Sequence, residues 1–178
     1  MPRPNLALAL LNVFGGVAVL GSYVAAFTGS PDFQSGLWGG VPESLRSLYT
    51  VNMLLAAAGY FPLTWLFVVR TRPDAFHATT GFRYALLFVL YAFVLIASAL
   101  WLPLTARMLL EPDAQLWFWI RVVLALVGIG STGILLLSFR FALRRGGAAN
   151  WAAAIGAIPF FTQTALLDAL IWPAYFPR

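Results

Sequence analysis

The chain has 178 residues, of which 61% are hydrophobic and 10% charged, with a net charge of +5 and a mean hydropathy of +0.85. Soluble domains carry about 25% charged and about 45–50% apolar residues, so that class is excluded, and so is a disordered chain, which lacks the apolar residues to collapse. The absence of cysteine excludes a disulfide scaffold and any thiol or Fe–S chemistry. An all-α integral membrane bundle remains.

A bilayer core about 30 Å thick needs about 20 apolar residues of helix. Five segments meet this, over about residues 6–27, 44–69, 83–106, 114–139 and 150–172, which predicts a single five-helix transmembrane domain. The first follows Arg3 but exceeds the usual 7–15-residue apolar core of a signal peptide and ends at no small-x-small site, so it reads as a retained helix. Residues 28–43 (TGSPDFQSGLWGGVPE) are rich in Gly, Pro and Ser and read as a loop, with Pro42 in the first turn of the second helix and Glu43 against its positive end. Residues 70–82 read as a basic loop holding the single histidine, His77, and residues 107–113 as an acidic turn. In residues 140–149, Gly146 and Gly147 suit the end of one helix and the start of the next.

The eleven basic residues are all arginine, a composition typical of a GC-rich bacterial genome. Arg70, Arg72 and Arg83 and then Arg140, Arg144 and Arg145 cluster beside apolar runs, the pattern of the positive-inside rule rather than of nucleic-acid binding. With Arg3 these make seven on one side, against Arg46, Arg107, Arg121 and Arg178 on the other. The expected orientation in a bacterial inner membrane is therefore amino terminus cytoplasmic and carboxy terminus outside, with loop 28–43 outside.

Ionisable residues within spans are costly and mark candidate sites. Arg121, about two turns into the fourth span, and Asp168, about one turn from the end of the fifth, fall in the same leaflet and are placed to pair. They read either as a structural ion pair, with a snorkelling Arg as a variant, or as the polar floor of an outward-facing pocket in which an Arg meets a ligand carboxylate. Tyr49, Asn52 and Met53 share a helix face, and Asn52 reads as an interhelical hydrogen-bonding residue or a ligand contact. Trp101, near the helix-kinking Pro103, reads as an interfacial belt residue or a pocket wall. Among the seven Trp, Trp117, Trp119 and Trp172 fit an outer belt and Trp65 and Trp151 an inner one, while Trp38 in the loop has no such explanation. Gly128-Ile-Gly130-Ser-Thr-Gly133 spells G-x-G-x-x-G without a preceding strand, so it reads as close helix packing, as do Gly15, Gly16 and Gly21. One histidine and no cysteine leave no plausible zinc or bis-histidine haem site, and no hydrolase motif is present, so no catalytic residue is assigned.

Five helices in a chain of this size, the many tryptophans and a first loop with Trp38-Gly-Gly-Val-Pro42 leading to Leu48-Tyr49 and Met53 resemble the translocator protein (tryptophan-rich sensory protein, TspO) family. Ser98-Ala-Leu-Trp101-Leu-Pro103 resembles that family's Asn-x-x-Trp-x-Pro stretch with Ser for Asn, and Pro159-Phe160 its fifth-helix opening, with Gln163 where a Trp is expected. The resemblance implies a helical bundle, commonly a homodimer, with a pocket under the first loop for a porphyrin, a sterol or another flat apolar ligand. The residues expected at that end are Trp38, Arg46, Tyr49, Asn52, Trp101, Arg121, Gln163 and Asp168. Binding, transport or sensing of such a ligand is the leading functional expectation. A structural subunit of a larger membrane complex and a small enzyme or ion-coupled carrier using Asp168 are the alternatives.

Overall fold

A computed structural model describes residues 2–29 and 31–176, without the side chains of residues 29, 31, 32 and 34. Arg178, counted above on the outer side, lies outside the described residues. The described chain is helical throughout: α1 (Arg3–Gly29), α2 (Pro31–Trp38), α3 (Glu43–Trp65), α4 (Pro73–Thr80), α5 (Ala85–Leu110), α6 (Ala114–Arg145), α7 (Ala148–Phe161) and α8 (Trp172–Tyr175). A π-helical stretch, Leu66–Arg70, continues α3, and a longer one, Thr162–Ile171, joins α7 to α8. Five of the resulting rods are long and apolar enough to cross a membrane: Arg3–Thr28, Glu43–Arg70, Ala85–Leu110, Ala114–Arg145 and Ala148–Tyr175. The chain is an all-α, five-helix membrane bundle.

Two segments expected as loops contain helices. In 70–82, Pro73 stands in the first turn, where its missing N–H costs nothing, and Gly81 closes α4 with φ +81°. In 28–43, α2 forms despite its Gly and Pro content. The spans also run longer than polarity suggests. Pro103 lies inside α5 without ending it, and α6 continues to Arg145, where Gly146 and Gly147 take the positive φ values of 60° and 82° that end one helix and start the next. Polarity marks where a helix leaves the hydrocarbon; capping marks where it stops. Pro42 precedes the first turn of α3 instead of standing in it.

The rods pack in a ring: α5 on α6, α6 on α7, α7 on α3 and α1 on α5, with α1 meeting the Leu66–Arg70 stretch. Gly130 and Gly133 of α6 let α5 approach closely, since a Cβ at either would lie 2.7 Å from Leu90 O or 2.6 Å from Leu90 Cδ2. Gly15 likewise faces Leu95, but Gly16 and Gly21 face open space within 4 Å and serve no such packing. The tightest crossing is Gly59 of α3 on Gly156 of α7, backbone against backbone.

At the basic end, Asn5 Nδ2 donates to the carbonyls of Val68 (2.9 Å) and Thr71 (2.8 Å), tying α1 to the end of the α3 rod. Tyr84 Oη donates to Phe67 O at 2.7 Å, and burial pushes its phenol up, so it remains a neutral donor. Arg140 and Arg145 donate to Thr79 and Ala75, placing cations at the carbonyl end of α4. Phe76 of α4 anchors this cap among Phe67, Phe141 and Tyr84.

Candidate functional site

Each π-helical stretch follows a proline within its rod: Pro62 precedes Leu66–Arg70, and Pro159 precedes Thr162–Ile171. Proline lacks an N–H and crowds the carbonyl four residues back, which loosens the α ladder. The longer stretch carries the polar part of the site. In an α-helix, residues five apart lie about 140° apart around the axis. A π-helix bonds i to i+5, so such residues align, and π segments recur at functional sites. Here the wider winding brings Gln163 onto Asp168, with Gln163 Nε2 donating to Asp168 Oδ1 at 2.9 Å.

The orientation of this pair is set from α3. The Pro159 carbonyl can only accept, so Asn52 presents Nδ2 to it at 3.1 Å. The same Nδ2 donates to Gln163 Oε1 at 3.1 Å, which leaves the Gln163 amide nitrogen facing Asp168. Asn52 is thus an interhelical hydrogen-bonding residue that acts on the site through Gln163.

At the end opposite the basic one, a cavity of about 380 Å³ opens between α1, α3, α5 and the Thr162–Ile171 stretch, beneath α2. Tyr23 and Phe27 come from α1, Leu37 and Trp38 from α2, Tyr49, Thr50 and Met53 from α3, and Trp101 and Leu102 from α5. Gln163, Asp168 and Trp172 complete the wall. Two edge-to-face pairs make its corners: Trp38 on Tyr49 at 6.0 Å and 86°, and Trp101 on Trp172 at 5.6 Å and 82°. Tyr49 Oη donates to Leu167 O at 2.9 Å, and Trp172 Nε1 to Leu37 O at 2.8 Å, which holds α2 over the cavity. Among the described residues the buried Trp101 N–H has no hydrogen-bond partner, and this indole contributes ring surface to the wall.

Of the residues expected from sequence, Trp38, Tyr49, Trp101, Gln163 and Asp168 meet at this cavity, with Asn52 directly behind Gln163. The two arginines do not line it. Arg46 lies over the Trp38 ring, 5.6 Å from its centroid, and donates through Nε to Val41 O. Arg121 is exposed on α6, and no ion pair joins it to Asp168; the i to i+5 alignment gives Asp168 a neighbour on its own rod instead. An arginine meeting a ligand carboxylate in this cavity is therefore corrected. Trp172 is corrected too: it is 4% exposed and walls the cavity, whereas Trp119, 49% exposed, keeps the character of a belt residue. The sequence reading also missed Tyr23, Phe27 and Leu37, because α1 has no charged residue beyond Arg3 to mark a site and α2 was read as loop.

Comparison with protein-family profiles, with characterised proteins and with solved structures gave no match for this chain.

Proposed function

We propose that this cavity is the binding site of a flat, largely apolar ligand, in a protein that binds, transports or senses it within the membrane. The carrying observation is an aromatic-walled space of about 380 Å³ with two convergent polar side chains, Gln163 and Asp168. Ligand sites combine apolar walls with a few placed polar groups at volumes of about 300–1,000 Å³. This one lies toward the small end, which suits a compact ring system better than a full porphyrin macrocycle. The resemblance to the translocator protein family points to the same ligand class and the same end of the bundle. The basic end, with Arg70, Arg72, Arg83, Arg140, Arg144 and Arg145, supports a bacterial inner-membrane orientation with that end cytoplasmic.

The test is quenching of tryptophan fluorescence in the purified protein by a sterol, a quinone, a porphyrin and a planar organic cation. Saturable quenching by at least one is expected, since three tryptophans line the cavity. No saturable quenching by any of them overturns the reading. An ion-coupled carrier using Asp168 is a second reading, favoured by one observation: among the described residues, no arginine pairs with that carboxyl.

A further inference from the structure

Among the described residues that line the cavity, Asp168 is the one carboxyl, and none is basic. Asp168 lies among Trp38, Trp101, Trp172 and Tyr49, and its partner among the described residues is the neutral amide of Gln163. Arg46 donates to Val41 O and lies over the Trp38 ring without lining the cavity, which leaves Trp101, Trp172 and Tyr49 as the walls for a cation, and Arg121 stands exposed on another helix. A carboxylate withdrawn from water in a membrane span is costly unless it meets a cation or takes up a proton. Asn52 and Gln163 orient a donor onto Oδ1, and among the described residues none donates to the other oxygen. The walls add to this. The faces of Trp and Tyr rings carry negative quadrupole potential and attract a cation within about 6 Å of the ring centroid, and aromatic cages of this kind recognise ammonium groups. The two edge-to-face pairs set aromatic rings in differing planes around the carboxyl.

We propose that the cavity selects flat organic cations. The ligand's protonated or quaternary nitrogen would lie toward Asp168, and its ring system would lie between the tryptophans. This rests on the cavity being a ligand site, and it specifies the ligand's charge. Neutral ring systems of the same shape keep the wall contacts and lose the ion pair. Anionic ones bring a second negative charge to an uncompensated acid.

The test uses three planar three-ring probes of near-equal size at pH 8: N-methylacridinium, 9-methylanthracene and 9-anthracenecarboxylate. Each is titrated into the full-length protein in detergent with tryptophan quenching as the readout. The expected order is cation, neutral, anion, with at least a tenfold lower Kd for N-methylacridinium than for 9-methylanthracene. Asp168→Asn is expected to abolish that ratio, and Asp168→Glu to retain part of it. Equal Kd values for cation and neutral probe in the unaltered protein, or an unchanged ratio in Asp168→Asn, overturn the cation proposal and leave the ligand site standing. The ratio in the unaltered protein decides the matter even if a variant fails to fold. Absence of saturable quenching by all three probes removes the ligand site itself, and the proposal with it.

Discussion

Gly59→Ala should destabilise the bundle, while the same change at Gly21 should stabilise it. A Cβ at Gly59 would land on the backbone of Gly156, and one at Gly156 would stand 2.7 Å from Gly59 O. Backbone cannot rotate aside as a side chain does, so α3 and α7 must separate. Overpacking of this kind costs about 1–3 kcal/mol, and a backbone clash belongs at the upper end. Replacing a helical glycine by alanine returns about 0.5–1 kcal/mol of conformational entropy, so the net loss at Gly59 is about 2 kcal/mol. A Cβ at Gly21 has nothing within 4 Å, which leaves only the gain. The two variants should therefore differ by about 3 kcal/mol. Thermal unfolding in detergent, followed by circular dichroism with both variants in one preparation series, measures this. If Gly59→Ala is as stable as Gly21→Ala, the close crossing of α3 and α7 is wrong, and so is the register that sets Asn52 against Pro159.

Asn52→Leu should cost about 1–2 kcal/mol in the same assay, because two interhelical hydrogen bonds are lost and such bonds are individually modest in membranes. Asn5→Leu removes the donor that serves the Val68 and Thr71 carbonyls in a buried setting and should cost about 1–3 kcal/mol, with faster proteolysis confined to the basic end. Trp172→Ala should cost about 3–5 kcal/mol and expose α2 to protease, since the indole is buried and holds Leu37 O. A variant that melts like the unaltered protein would return Trp172 to the lipid-facing belt.

The five spans were legible because apolar length is a property of composition and survives errors in register. Their ends were not, because polarity changes at the edge of the hydrocarbon whereas the chain stays helical until Gly146 or the Glu111–Asp113 break. The signals for α4 were present in Pro73 and Gly81, but the charge of the segment favoured a loop. Five of the expected site residues converge on one cavity because each was a polar or aromatic group in the outer loop or toward the outer half of a span, where depth alone narrows the choice. Their pairing was not legible. Gln163 and Asp168 fall on different faces of an α wheel, and only the π-helical winding after Pro159 aligns them. With Gln163 off the wheel, Arg121 was the apparent partner for Asp168. The Gly59–Gly156 crossing was hidden for a similar reason: single glycines in Ala-rich runs show no pattern until two rods meet, while the more conspicuous Gly16 and Gly21 face open space.

The central claim is that ligand enters the space beneath α2. Thr50 of α3 and Leu102 of α5 line that space, so Thr50→Phe and Leu102→Phe each add a ring at its wall. The decisive measurement compares saturable tryptophan quenching by one planar probe, 9-methylanthracene, in the unaltered protein and in these two variants, with folding checked by circular dichroism. Saturable quenching that weakens at least tenfold in both folded variants is the predicted result. Quenching of unchanged affinity in both would place the ligand elsewhere on the protein and contradict the account.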